Sequence, residues 1–190
     1  MDEITVGFAM TGSYCTFAQV FPQLEKLCEN GYKVYPIMSE NVQKTDTRFG
    51  KAADFIKRAE EITGNRLLKS IPDVEPIGPK KLTDALIVAP CTGNTLAKLA
   101  NGITDTTVTM AVKSTLRNNK PIIIAVSTND GLANSAKNIG HLLNYKNIYF
   151  VPFKQDDPYC KERSLVADMD KINETLINAL SGKQEEPIIK

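Results

Sequence analysis

Thr92, Asn94 and Thr95 gather two hydroxyls and an amide directly behind the apolar run Ala85-Leu86-Ile87-Val88-Ala89 and ahead of Leu96-Ala97-Lys98-Leu99-Ala100. The run has the length and β-branched content of a strand buried on both faces, and the segment after it has the spacing of a short helix closed by Gly102. In an open α/β sheet, unpaired backbone N–H groups and the positive end of a helix dipole meet where strand carboxyl ends face helix amino ends. Anions bind there. Thr and Asn are also ordinary helix caps, and the local chemistry alone favours a cap over a ligand contact.

The same strand-turn-helix pattern recurs along the chain. Ile4 to Ala9 reads as a first strand, Met10-Thr11-Gly12-Ser13 as a small polar turn, and the next stretch as a helix with Phe17, Val20, Leu24 and Leu27 on one side, ended by Gly31. Gly12 permits close backbone approach and Ser13 puts a hydroxyl at the helix start. The turn is neither GxGxxG nor a Walker loop, which argues against a plain dinucleotide or ATP site. Tyr32 to Met38 delivers Ser39 at a second strand end, where it suits a turn or cap as well as a contact. Lys120 to Val126 is a fully buried strand that ends at Ser127-Thr128-Asn129-Asp130. Gly12, Ser13, Ser39, Thr92, Asn94, Thr95 and Ser127 are therefore expected to form one anion site at the strand carboxyl ends.

Strands near 4, 33, 85, 121 and 148, separated by helical stretches, predict an α/β fold. It is a three-layer, flavodoxin-like (Rossmann-like) parallel sheet with helices on both faces, joined by right-handed crossovers. Between the strands, Glu40 to Thr47 is polar, and Phe49 to Ile62 reads as a helix with Ala52, Phe55, Ile56, Ala59 and Ile62 inward. Ile71 to Pro79, with its three prolines, reads as irregular. Thr106 to Leu116 is helical, and its stripe of Val108, Ala111, Val112 and Leu116 suits either the core or an interface between protomers. Ala133 to Leu143 is a helix carrying His141 near its end. Ile148 to Phe153 is a last strand, Lys154 to Asp157 a loop, and Ser164 to Leu180 a terminal helix with Val166, Met169, Ile172, Leu176, Ile177 and Leu180 inward. One domain is expected over 1–181, with a flexible tail over 182–190.

Composition narrows the function classes. Among 190 residues, 23 basic side chains face 22 acidic ones, which gives no reason to expect nucleic acid or a membrane surface as partner. The cysteines Cys15, Cys28, Cys91 and Cys160 form no CxxC pair and His141 is the single histidine, so no zinc site is expected. Free thiols, with neither a leader nor a membrane-spanning run in this sequence, make the expected location cytoplasmic.

The segment from Pro90, through Asn94-Thr95 and Lys98, to Ala100, Gly102 and Asp105 resembles the Pro-Ala-Ser-Ala-Asn-Thr segment of the homo-oligomeric, flavin-containing cysteine decarboxylase family. Gly12-Ser13 resembles the turn with which that family holds the FMN phosphate. The resemblance implies FMN as cofactor and a trimer-based homo-oligomer with the flavin held between protomers. Two departures stand out. Counting back from Thr83-Asp84-Ala85, the family's catalytic histidine falls at about Pro76, and proline cannot transfer a proton. The family's Pro-x-Met-Asn clamp is replaced by Ser127-Thr128-Asn129-Asp130, and Glu40 to Thr47 resembles an insertion. These departures are similar to a branch from spore-forming bacteria that acts on a small-molecule substrate as half of a two-subunit oxidoreductase. They imply NADPH or NADH on the partner subunit.

Overall fold

The computed structural model describes residues 3–190. Four strands pair in parallel in the order β2 (Lys33–Met38), β1 (Thr5–Met10), β3 (Ala85–Cys91), β4 (Ile122–Thr128), and β5 (Ile148–Phe150) pairs with the first half of β4. This is the flavodoxin-like order expected from alternating strands and helices, with the direction of winding reversing between β1 and β3. Every residue of β3 is buried, as its unbroken apolar run requires of a strand covered on both faces. Helices α1 (Phe17–Glu29) and α8 (Ile172–Leu180) pack together. A second connected set contains α4 (Ile71–Val74), α5 (Gly93–Ala100), α6 (Thr107–Leu116) and α7 (Ala136–Leu143). The remaining helices, α2 (Glu40–Lys44) and α3 (Ala52–Thr63), follow β2. Among the described residues, no helix is long and apolar enough to cross a membrane.

The structure departs from expectation after β5. The apolar stretch from Ile148 breaks at Val151-Pro152, and Phe153 opens β6 (Phe153–Asp157), which pairs antiparallel with β7 (Lys161–Ala167). The expected loop Lys154 to Asp157 is thus a strand, and the expected terminal helix begins at Ile172, eight residues later than Ser164. The cause is a fork in β4. Ile122 to Ile124 are paired with β5, but Ser127 and Thr128 extend beyond it and find Val166 and Leu165 as antiparallel partners. Open edge groups on a buried strand must be satisfied, and that demand outweighs the helical spacing of Val166 and Met169. Ile177, expected inward, is exposed. Residues 182–190, read as a flexible tail, run back along β6: the backbone of Lys190 donates to Phe153 O at 3.1 Å, and the Gln184 amide exchanges hydrogen bonds with the Phe150 backbone.

The stripe on α6 faces its own chain. Val108, Ala111 and Val112 are buried, and the helix packs on β2, β3 and β4. Glu40, inside the polar segment after β2, accepts the Thr107 amide and hydroxyl, both at 2.8 Å, and so caps α6 with a carboxylate.

Candidate functional site

The carboxyl ends of β1, β3 and β4 meet where the winding reverses. Thr11 joins the first two: its hydroxyl donates to Pro90 O at 2.7 Å and accepts the Thr92 amide at 3.0 Å. It is buried, and it holds the Gly12-Ser13 turn against the start of α5. The signal for it in the sequence was only a threonine between an apolar strand and a glycine. On the other side, Ser13 Oγ lies 2.7 Å from Ser127 Oγ, so hydroxyls from positions 114 residues apart share a hydrogen bond.

These turns floor a cleft of about 1110 Å³. Gly12, Ser13, Thr92, Gly93, Ser127 and Thr128 line its floor. Arg48 and Phe49 line it from the loop ahead of α3, and Lys154, Asp156, Lys161 and Ser164 to Met169 line it from the β6–β7 hairpin and the turn that follows. Of the seven expected residues, Gly12, Ser13, Thr92 and Ser127 come together here. Ser39, Asn94 and Thr95 are not among the lining residues. Ser39 begins α2, and its backbone bridges Met10 O and the Gln43 amide. Thr95 is buried under Thr92, with the two hydroxyl oxygens 3.1 Å apart, and its amide is capped by Thr92 Oγ1 at 3.4 Å. Asn94 is exposed on the first turn of α5.

The rest of the Pro90 to Asp105 segment closes the helix. Lys98 Nζ meets Asp105 Oδ1 at 2.7 Å, and Gly102 takes φ of 68°, which lets the Ile103 amide return to Lys98 O at 2.9 Å. Behind Gly93, Asp130 accepts hydrogen bonds from the Thr128 hydroxyl at 2.5 Å and the Ser135 hydroxyl at 2.8 Å; the Thr128 bond, against the upward push of burial and with help from Ser135, holds its carboxyl below the ordinary carboxylate range. A Cβ on Gly93 would lie 2.6–2.8 Å from the three oxygens of this network, so only glycine lets α5 start this close to β4.

The floor fits FMN. Paired hydroxyls and the Gly93 amide at the start of α5 suit a phosphate, while Val166, Ala167 and Met169 supply an apolar wall for a ring. A Cβ at Gly12 would approach only the Tyr14 ring, at 3.6 Å, so that turn is open to a ligand. His141 lies elsewhere, exposed on α7 against Tyr145. Pro76 sits in a single 3₁₀ turn, Glu75–Ile77. Cys91 is fully buried, and burial pushes its thiol far up; Cys15 is the thiol that lines the cleft.

Comparison with known proteins adds three likenesses. The chain is 46% identical over 184 residues to the B subunit of dipicolinate synthase from Bacillus subtilis (strain 168), covering 97% of this chain and 92% of that one. The crystal structure of the dipicolinate synthase B subunit from Bacillus halodurans superposes with a TM-score of 0.91 at 45% identity, covering 100% of this chain and 98% of that one. Burkholderia xenovorans DmrB in complex with FMN, described as a cubic protein cage for redox transfer, shares the fold at a TM-score of 0.71 and 17% identity, over 94% of this chain and 96% of that one. The Flavoprotein family model matches residues 1–181, and the chain belongs to the Flavoprotein family.

Proposed function

We propose that this chain is the B subunit of a dipicolinate synthase. With an A subunit whose nicotinamide cofactor accepts the hydride in its oxidised form, NADP+ or NAD+, and leaves as NADPH or NADH, it oxidises a dihydrodipicolinate-level intermediate to dipicolinate in the mother-cell cytoplasm of a sporulating bacterium. The observation that carries the reading is the 46% identity to a named B subunit across 97% of the chain. FMN-complexed neighbours and the fit of the cleft support FMN as its cofactor. Gly12, Ser13, Thr92 and Ser127 would hold it directly, with Thr95 fixing Thr92 from below and Ser39 and Asn94 outside the lining. When bound, FMN supplies a ring that accepts and returns electrons.

The chain's own part is binding, orientation and exclusion of water. Among the described residues, no histidine lines the cleft. Asp156, Asp168 and Asp170 are each engaged, by Lys161, Lys190 and the Gln23 amide respectively. Without a histidine or an unengaged carboxylate among the described residues of its lining, the cleft suits cofactor chemistry better than histidine-dependent proton transfer. The same observation speaks against the alternative of an FMN-dependent decarboxylase of a cysteine-containing substrate, whose histidine is replaced near Pro76.

A trimer-based homo-oligomer that docks the A subunit completes the proposal. The α6 stripe is used internally, so the contact between protomers falls instead to exposed apolar side chains around α5 and α7: Ile103, Leu132, Leu143 and Tyr145. Mixing the purified chain with a dipicolinate synthase A subunit tests the assignment. A stable complex and dipicolinate formation that neither chain supports alone are expected. Full activity from the A subunit without this chain overturns it, and protein that stays colourless after incubation with FMN reduces it to a scaffold.

A further inference from the structure

We infer that Arg48, Phe49 and Lys154 form a recognition site in the cleft for a small planar ring bearing carboxylates. The assignment of that ring to the substrate or product rests on the function proposed above. The charges that line the cleft are equal in number but do not all pair with one another. Three cations and three aspartates line it: Arg48, Lys154 and Lys161 against Asp156, Asp168 and Asp170. Lys161 is paired with Asp156 at 2.6 Å, Asp168 with Lys190 from outside the lining, and Asp170 accepts the Gln23 amide at 2.7 Å. Arg48 and Lys154 have no carboxylate within ion-pair distance among the described residues, so two cations of the lining remain without an ion pair, while Asp170 is held only by a neutral amide.

Arg48 is not a loose surface arginine. It stands with Phe49 at the tip of a turn whose ends are closed by reciprocal backbone hydrogen bonds, Thr47 N to Gly50 O at 3.0 Å and Gly50 N to Thr47 O at 3.1 Å. Asp46 ties the turn to α3 by accepting the Ala52 amide at 2.9 Å. Gly50 adopts φ of 148°, and a Cβ there would lie 2.7 Å from the Phe55 ring, so the turn is pressed onto the core with room for glycine alone. The Arg48 guanidinium lies over the Phe49 ring, 4.8 Å from its centroid. Stacking occupies the face of the guanidinium and leaves its edge N–H donors free, in the fork geometry that matches a carboxylate. Phe49 lines the cleft and is 46% exposed, so part of its ring stays open beside the guanidinium. Lys154 enters the same cleft from β6. An aromatic face, a forked donor and a second cation suit a flat dianion. Arg48 directly follows the polar segment that resembles an insertion, and its turn is a separate element from the floor that suits the FMN phosphate.

Phosphate shares the anionic part of this chemistry, so the test uses pyridine-2,6-dicarboxylate, inorganic phosphate and FMN as separate probes, titrated calorimetrically into the full chain in metal-free buffer. Wild-type protein is expected to bind the dicarboxylate more tightly than phosphate, with affinity falling as salt rises. Arg48→Gln and Lys154→Gln should each weaken the dicarboxylate about tenfold, as expected for loss of one charge-assisted contact, and Phe49→Ala severalfold. FMN affinity and melting temperature should stay unchanged in all three, since none of these side chains is buried. Absence of dicarboxylate binding, or equal affinity in the variants, overturns the site. So does a parallel loss of FMN, which would assign the cations to the flavin phosphate. Failure of the synthase reading is a separate result: variant-sensitive dicarboxylate binding without dipicolinate formation by the two-subunit mixture keeps the site and rejects the enzyme. Synthase activity with unchanged KM in Arg48→Gln does the reverse.

Discussion

Gly93→Ala tests whether the start of α5 is as tightly apposed to β4 as the structure shows. The new methyl would sit 2.6 Å from Thr128 Oγ1 and 2.8 Å from both Asp130 Oδ1 and Ser135 Oγ, well inside ordinary contact. These atoms belong to one hydrogen-bonded group, so none can withdraw without lengthening a bond to Asp130. Overpacking of this kind costs ~1–3 kcal/mol. Against it stands the helix preference of alanine over glycine, at most ~1 kcal/mol and smaller at a first helical position. The net loss is about 1–2 kcal/mol, which for a chain of this size lowers the melting temperature by roughly 2–8 °C. Scanning calorimetry on Gly93→Ala, Thr128→Ala and the double variant measures it. Because Thr128→Ala removes the nearest oxygen, the double variant should be less destabilised than the sum of the two. A Gly93→Ala protein that melts at or above the wild-type temperature, or strictly additive effects, would refute the packing account and loosen the floor proposed for FMN.

Ser13→Asp places a carboxylate beside the paired hydroxyls of the floor and should abolish FMN uptake, read as loss of flavin absorbance after gel filtration; Ser127→Ala, which removes one hydroxyl, should weaken it about tenfold. Asp130 gives a pH dependence of known sign. Its carboxyl is held below the ordinary range in the folded chain, so its contribution is complete above the unfolded carboxylate value and is lost as pH falls through the folded one. Urea midpoints followed downward from about pH 5 should therefore drop less steeply in Asp130→Asn than in wild type. Peptidyl-cysteine and phosphopantothenoylcysteine should release no carbon dioxide with the purified chain, because no histidine reaches the cleft; enzymatic release would restore the decarboxylase reading. Light scattering should show a multiple of three chains at micromolar concentration, and Leu132→Asp with Leu143→Asp should shift it toward monomer if protomers meet around α7.

The parallel core was legible in the sequence because its strands are unbroken apolar runs. Ala85 to Ala89 and Ile122 to Val126 have no alternative to burial on both faces, and polar turns behind them mark the carboxyl ends where a ligand site collects. Local spacing also marked the start of α5 as a capped helix start and Gly31 and Gly102 as helix terminators, since capping depends on groups a few residues apart. The β6–β7 hairpin was not legible. Ser164 to Ala167 carries a helical spacing, and only the unpaired end of β4, some 36 residues earlier in the chain, makes it a strand. The site divides the same way. Gly12, Ser13, Thr92 and Ser127 could be named from turns alone. That Ser13 and Ser127 touch, that Thr11 ties β1 to β3, and that Arg48 and Lys154 share a cleft without a carboxylate partner among the described residues are results of long-range pairing. Strand and cap signals are written in nearest neighbours, whereas the walls of the cleft are set by which edges and charges remain unsatisfied once the sheet has formed.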